Sequence, residues 1–326
     1  MRAEQNEHGG TPATAGLRVS VIIPVLNGEA YLGEALASVR AQQGHAVEII
    51  VVDDGSTDGS LDIARQTADV VLTTTGRQGP SFARNLGATH ARQDLVAFLD
   101  ADDRWLPHHL DTAARAFTNA PDATLFFAQV RAFGTDNYTT NAGRDVPPFT
   151  AFDARVALLE RNIVTQITVV VKRTAFAALG GYNESLRYAE DYDLWHRLAW
   201  AGTFVHAPEV TAEYRVHPAQ ATSQLLRLLR GSWDVRLKHF VRLCARDRQL
   251  AERAATLLAK SWTDETQGTI RSGRADLFAM YAERHAELAE VLRANGFPVP
   301  VDIAWSASTA QWFRLRRWVK SRLHSL

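Results

Sequence analysis

The first hundred residues alternate between short β-branched runs and stretches whose apolar residues recur at helical spacing. No other feature restricts the fold as much. Arg18-Val-Ser-Val-Ile-Ile-Pro24, Val47-Glu-Ile-Ile-Val-Val52, Val70-Val-Leu72 and the apolar run from Leu95 read as strands. Between them, Tyr31, Leu32, Leu36 and Val39 fall on one helical face and Leu61, Ile63 and Ala64 on another. Gly79-Pro80 opens a third helix, because proline suits the first helical position. Strands and helices at this spacing imply a doubly wound parallel sheet. Such sheets bind ligands outside the carboxyl ends of their strands, so chemistry is sought there.

Three groups of acids are placed for it. Asp53-Asp54 closes the second strand. Leu95-Val-Ala-Phe-Leu-Asp-Ala-Asp-Asp103 runs five apolar residues into three carboxylates, and Glu190-Asp191 opens a later helix. Asp100 and Asp102 are two apart, so in extended chain their side chains leave on one side. Paired hard oxygens suit Mg²⁺ or Mn²⁺, which take their remaining ligands from phosphates and water. Helix capping accounts for one such group well and for the set poorly. Arg84 lies near a helix amino end, a good place for a diphosphate; the bland alternative is a surface salt bridge. Asn27 is expected to cap the first helix, with Glu29 in its first turn.

Further along, helices are expected over 107–118 and 154–161 and strands over 123–132, 167–172 and 210–216, with a helix from Glu190 whose Leu194, Trp195 and Leu198 share a core face. Beyond Ser223 strand signals vanish. The expected division is a disordered lead-in at 1–16, an α/β domain at 17–222 and a helical region at 223–326, broken near Ser272-Gly273 and at 296–300. Lys plus Arg and Asp plus Glu are both 36, so net charge gives no pointer to nucleic acid. A single cysteine, Cys244, excludes a disulfide framework and fits a reducing cytosol. No uncharged apolar stretch is long enough to span a bilayer, and the first sixteen residues lack the apolar core of a signal peptide. The tail at 312–323 combines five Lys or Arg, no acid, and Trp312, Phe313, Leu315, Trp318, Val319 and Leu323, the composition of a basic amphipathic interfacial helix. Peripheral contact with the inner face of the cytoplasmic membrane is expected there, against a helix packed on the rest of the protein. An oligomer is left open.

Taken together, Val21-Ile-Ile-Pro-Val-Leu-Asn27, Val51-Val-Asp-Asp-Gly-Ser-Thr-Asp58, Gly79-Pro-Ser-Phe-Ala-Arg-Asn-Leu-Gly87, Phe98-Leu-Asp-Ala-Asp-Asp103 and Glu190-Asp191 resemble, in order, the motifs of family-two inverting glycosyltransferases. The resemblance spans about 17–223. It implies a GT-A fold: a nucleotide-binding mixed α/β sheet flanked by helices, here followed by an all-helical C-terminal region. It also implies transfer of a sugar from a nucleoside-diphosphate sugar to a hydroxyl of a glycan or lipid-linked acceptor in bacterial cell-surface glycan synthesis. By the same resemblance, Pro24, Asn27 and Glu29 would line the nucleotide pocket, and Asp53 or Asp54, with Asp54 preferred, would accept a hydrogen bond from the base. Arg84 would contact the diphosphate, Asp100 the ribose, and Asp102 the Mn²⁺ or Mg²⁺ ion. Asp191 would be the general base, and Glu190 would shape its surroundings or touch the donor sugar. Tyr214-Arg-Val-His217 resembles a distal family segment in which His217 would ligate the metal or meet a phosphate and Arg215 would help hold the diphosphate. Gly180-Gly-Tyr182 resembles a turn before the acceptor wall, to which Trp195 would belong if it is not plain core. Val164-Thr-Gln-Ile167 departs from the family pattern, leaving Gln166 to face either donor sugar or acceptor.

Two other functions compete. A sugar-nucleotide pyrophosphorylase typically has a Gly-rich, cation-bearing loop after its first strand, and Pro24-Val-Leu-Asn-Gly28 carries no cation. A non-catalytic nucleotide-sugar binding module would have no need of both the metal acids and Asp191.

Overall fold

The computed structural model describes residues 16–134, 148–217, 225–272 and 274–299. The lead-in, most of the loop at 134–148 and the tail at 312–323 lie outside them. The alternating segment forms strands β1 (Arg18–Val25), β2 (Ala46–Asp53), β3 (Val70–Thr73) and β4 (Leu95–Phe98), separated by helices α1 (Leu32–Arg40), α2 (Ser60–Thr67) and α3 (Pro80–His90). These four strands are mutually parallel, in the order β3-β2-β1-β4. Their faces are both covered: Val19, Val21 and Ile23 join one apolar layer with Leu32, Leu36 and Val39 of α1, while Ile22, Ile50 and Val52 join another with Ala83 of α3. Two-sided burial is why these strands read as continuous apolar runs.

Beyond β4 the sheet becomes mixed, in line with the expected GT-A type sheet rather than a purely parallel one. After the two-residue strand β5 (Arg104–Trp105) come α4 (His109–Asn119), β6 (Leu125–Gly134), β7 (Ala151–Phe152), α5 (Ala154–Glu160), β8 (Val170–Lys172), α6 (Arg173–Ala178), α7 (Glu190–Leu198) and β9 (Phe204–Val216). The sheet continues β4-β8-β6-β9-β5, with β8 antiparallel to both neighbours, β6 parallel to β9, and β5 and β7 antiparallel to β9. The strand expected over 167–172 is shorter than its apolar pattern, because Gln166–Thr168 forms a single 3-10 turn. The strand expected over 210–216 extends back to Phe204, past register shifts opposite Ala128 and Gln129 where Pro208 interrupts the ladder.

Three helices follow: α8 (Leu225–Arg246), α9 (Arg248–Ser272) and α10 (Ala275–Ala294). Their own apolar cluster centres on Trp233, Phe240, Leu258, Trp262 and Tyr281, and takes in Val156 and Leu159 of α5. No helix among the described residues is long and apolar enough to cross a membrane.

Candidate active site

The strand order reverses at β1, with β2 and β3 on one side and β4 on the other. A crevice is expected outside that reversal, and Pro24 marks it. The Leu99 amide donates to the Ile22 carbonyl at 3.1 Å, so Ile22 and, two residues later, Pro24 turn their backbone toward β4. The β1–β4 pairing stops at Ile22 and Phe98, so the missing proline N–H costs no ladder bond.

The loops after β1 and β2 are bonded to each other. The Asn27 side chain accepts from the Thr57 amide at 2.8 Å and its own amide donates to Ser56 Oγ at 2.9 Å. The Gly59 amide, at the amino end of α2, donates to Glu29 Oε2 at 2.9 Å. Asn27 therefore does not cap α1, which begins at Leu32; its φ of 55° turns the chain instead. Asp53 is 3% exposed and accepts from the Ser56 amide at 3.3 Å through both oxygens. Asp54 is more fully occupied. It accepts from Thr74 Oγ1 at 2.5 Å, the Gln78 amide at 2.9 Å and the Gly79 amide at 2.7 Å. Gly79 has a φ of 95°, which admits that bond without side-chain strain. Asp54 thus organises the approach to α3, whereas Asp53 has acceptor capacity left.

The acids after β4 sit in a turn, since the Asp103 amide donates back to the Asp100 carbonyl at 3.1 Å. Same-side projection in extended chain therefore does not apply to Asp100 and Asp102, and each has its own partner. Asp100 accepts from Arg84 Nη2 at 2.6 Å, and Asp102 Oδ2 lies 2.9 Å from His217 Nε2. Asp103 faces β9. It is 1% exposed, its Oδ1 accepts from the Arg215 amide on β9 at 2.7 Å, and burial with the charges of Asp100 and Asp102 pushes its pKa well up. Arg215 is drawn into holding this turn. Its Nε donates to the Asp102 carbonyl at 2.8 Å, its guanidinium pairs with Glu34, and its Cζ stands 4.3 Å over Phe133 and 4.6 Å over Tyr31.

Arg84 links the turn to α7. It is 5% exposed and bonds Asp100 through Nη2 and Glu190 through Nη1 at 3.3 Å; its Nε has no partner among the described residues. Tyr182 packs beneath, 5.5 Å from the guanidinium carbon, and accepts from Gln166 Nε2 at 2.9 Å. The Gly180-Gly181 turn that delivers Tyr182 has φ values of 73° and 70°, and a Cβ on Gly181 would stand 2.3 Å from Asn85 Oδ1. Gln166 is thereby placed beside Tyr182, with its Oε1 unpartnered among the described residues.

Asp191 follows Glu190 at the amino end of α7. Its carboxylate accepts from the Tyr192 amide at 2.7 Å and lies 3.5 Å from Asn162 Nδ2. Burial, then the neighbouring Glu190 charge, raises its pKa to about 7. Trp195 is 0% exposed and belongs to the core, so it forms no acceptor wall.

Residues beyond the sequence motifs brace this helix. Asp193 Oδ1 accepts from Lys238 Nζ at 2.8 Å and lies 3.1 Å from His239 Nε2, while Oδ2 accepts from Arg197 Nε at 2.7 Å. Burial opposes its ionisation, but these three partners hold its pKa far below the usual range. On α8, Arg236 pairs with Glu265 of α9 at 2.8 Å, and Glu265 also accepts from Trp233 Nε1 at 3.0 Å and Tyr281 of α10 at 2.6 Å. Helix α8 therefore meets α7 just beyond Asp191, and Glu265 ties α9 and α10 to α8. A cleft of about 510 Å³ bordered by Asn85, Tyr182, Asn183, Arg197 and Lys238 lies beside this brace and contains neither Asp102 nor Asp191. The candidate site rests on the strand ends, not on that cleft.

Among the described residues no group of three or more His, Cys, Asp or Glu is arranged to hold a metal ion. Asp102 and His217 form a half-set: one carboxylate and one imidazole in contact, both partly exposed. That donor pair suits Mn²⁺ or Mg²⁺ when diphosphate oxygens and water complete the shell.

Residues 20–180 match the model of Glycosyl transferase family 2. The chain is 28% identical over 223 residues to the putative teichuronic acid biosynthesis glycosyltransferase TuaG of Bacillus subtilis, covering 67% of this chain and 86% of that one. In fold it is similar to S. aureus TarS 1–349, solved in complex with UDP-GlcNAc, with a TM-score of 0.67 at 17% identity over 84% of this chain and 81% of that one. It is also similar to mannosyltransferase PcManGT from Pyrobaculum calidifontis, solved with GDP-Man and Mn²⁺, with a TM-score of 0.56 at 20% identity over 94% and 85%. The last two likenesses are of fold.

Proposed function

Because the chain belongs to glycosyl transferase family 2, we propose that it transfers a sugar from a nucleoside-diphosphate sugar to an acceptor hydroxyl in bacterial cell-surface glycan synthesis, with inversion at the anomeric carbon and with Mn²⁺ or Mg²⁺. The name of TuaG supports the class of product, and the nucleotide sugars bound by TarS and PcManGT support the class of donor. The observation that carries the reading is the Arg84 bridge. It ties Asp100, at the carboxyl end of β4, to Glu190, next to Asp191. One buried cation thus holds the donor crevice and the base on a common frame.

In this reading Asp53 takes the hydrogen bond from the base, since the acceptor capacity of Asp54 is used by the loop before α3. Pro24, Asn27 and Glu29 border the nucleotide from the β1 side. Asp100 faces the ribose with the oxygen that Arg84 leaves open, and the Arg84 Nε, with Arg215 beyond the turn, faces the diphosphate. Asp102 and His217 would hold the cation, which supplies Lewis-acid stabilisation of charge on the departing nucleoside diphosphate. Asp191 takes the acceptor proton as its oxygen attacks the anomeric carbon from the face opposite the leaving group. One displacement needs one base and no enzyme nucleophile, so the configuration inverts. A pKa near 7 suits a base at neutral pH.

The transfer machinery is assigned to 17–222 and its bracing to the helices α8 to α10 of the C-terminal region 223–326. A lipid-linked acceptor fits contact of the basic tail at 312–323 with the inner face of the cytoplasmic membrane. A thermal-shift panel of nucleotide sugars with and without Mn²⁺ tests the donor assignment, because a ligand of the folded state raises the melting temperature. One nucleotide sugar raising it more with Mn²⁺ than without is expected; a flat panel would remove the donor pocket.

A further inference from the structure

Helix α8 carries a cationic face that the transfer chemistry leaves unused. Between Asp234 and Asp247 its sequence holds Arg236, Lys238, Arg242 and Arg246 and no acid. Arg236 points inward to Glu265. Lys238, Arg242 and Arg246 follow at four-residue spacing and so form one outward stripe, interleaved with exposed Val241 and Ala245. Trp200 lies against this stripe. The guanidinium carbons of Arg155, Arg242 and Arg246 stand 5.0, 5.3 and 5.2 Å from its ring.

Two of these cations have local counter-charges: Arg155 pairs with Asp153 at 2.6 Å and Lys238 with Asp193 at 2.8 Å. Among the described residues no carboxylate lies within ion-pair distance of Arg242 or Arg246. Burial, then the charges of Arg246 and Arg197, push the Arg242 pKa down against a smaller opposing pull from Asp193. Residues 300–326 hold five Lys or Arg and one acid, Asp302. The described chain ends beside this region, with Phe297 packed on Phe240 at 5.6 Å and Arg248 donating to the Asn295 carbonyl at 2.6 Å.

We propose that the Trp200–Arg242–Arg246 face docks on an anionic phospholipid surface. Guanidinium groups meet phosphate bidentately, and a partly exposed indole, with exposed Val241 next to Arg242 in the helix, suits the boundary between headgroups and acyl chains. A soluble polyanion would engage the cations but make no use of the apolar residues between them. The docking is independent of the tail at 312–323 and goes beyond the proposed transfer activity, which concerns other residues.

The test is co-sedimentation of the full chain with phosphatidylglycerol/phosphatidylcholine vesicles and with pure phosphatidylcholine vesicles. It is run on wild type, on R242Q/R246Q and on the tail variant R314Q/R316Q/R317Q, with melting temperature as the folding control. Surface cations near an anionic membrane contribute about 1 kcal/mol each, so R242Q/R246Q should lower the anionic-vesicle partition coefficient roughly thirtyfold at unchanged melting temperature. Loss of binding in the tail variant alone overturns this face and leaves the tail reading standing. Equal binding to both vesicle types overturns the anionic assignment. Absence of vesicle binding, with or without binding to heparin or RNA, overturns lipid docking. Nucleotide-sugar consumption, measured without vesicles, reports separately on the proposed transfer.

Discussion

Asp191→Asn separates function from stability with opposite signs. The carboxylate sits where burial and the Glu190 charge raise its pKa from 3.8 to about 7. An acid whose folded pKa is raised makes the native state bind more protons than the unfolded chain between those two values. Stability then falls as pH rises through that window and levels off above about 7. A shift of about three units corresponds to a ceiling of about 4 kcal/mol. Because Asp191 is only partly buried and shares its environment with Glu190, about 2 kcal/mol is the working figure. Asparagine keeps the shape and loses the charge. Urea unfolding from pH 4 to pH 8 should therefore show the variant gaining on wild type across the window, reaching about 2 kcal/mol at pH 8. Single-turnover transfer should fall by about a hundredfold or more, and the wild-type rate should rise with pH through about 7. A variant that transfers at the wild-type rate, or that is no more stable than wild type at pH 8, refutes the picture of a charge held at a cost for catalysis.

Three further outcomes are expected. Asp102→Ala should abolish the Mn²⁺-dependent part of donor binding by calorimetry while leaving the melting temperature nearly unchanged, because its partner His217 keeps access to water. Asp53→Asn should weaken nucleotide binding about tenfold with little loss of stability, whereas Asp54→Asn, which keeps one acceptor oxygen and turns an NH2 toward one of the two backbone amides, should cost about 1–3 kcal/mol in urea unfolding. Asp193→Asn removes the counter-charge facing Arg197, Lys238 and His239 and should cost about 3 kcal/mol; in the fraction that remains folded it should lower kcat more than donor affinity, because α7 carries the base and not the nucleotide contacts.

What was legible in the chain, and what was not, follows from the range of the interactions. The strands of the parallel half were legible because burial on both faces leaves an unbroken apolar run, as in Val21 to Ile23 and Ile49 to Val52. The acids at strand ends followed from the same pattern. Roles set by distant partners were not legible. Asn27 looks like a helix cap locally, yet its side chain is taken by Thr57, and α1 starts five residues later. Asp53 and Asp54 are adjacent and chemically equal; only Thr74, Gln78 and Gly79, some twenty positions on, tell them apart. Asp100 and Asp102 diverge because a turn replaces the extended chain and because Arg84 and His217 reach them from elsewhere. The brace on α7 depends on Asp193 meeting Lys238 and His239 across more than forty positions, which no local pattern announces. Trp195 was the reverse case: its helical spacing with Leu194 and Leu198 marks it as core, and core is where it sits.

The central claim is transfer from a nucleoside-diphosphate sugar. Proton NMR of the full-length protein mixed with the nucleotide sugar selected by thermal shift, Mn²⁺ and a simple glycoside acceptor tests it most directly. Release of nucleoside diphosphate together with a new glycoside of inverted anomeric configuration, lost in Asp191→Asn, is the predicted result. Retained anomeric configuration, or consumption of the nucleotide sugar only with pyrophosphate to give a nucleoside triphosphate and a sugar 1-phosphate, would contradict it.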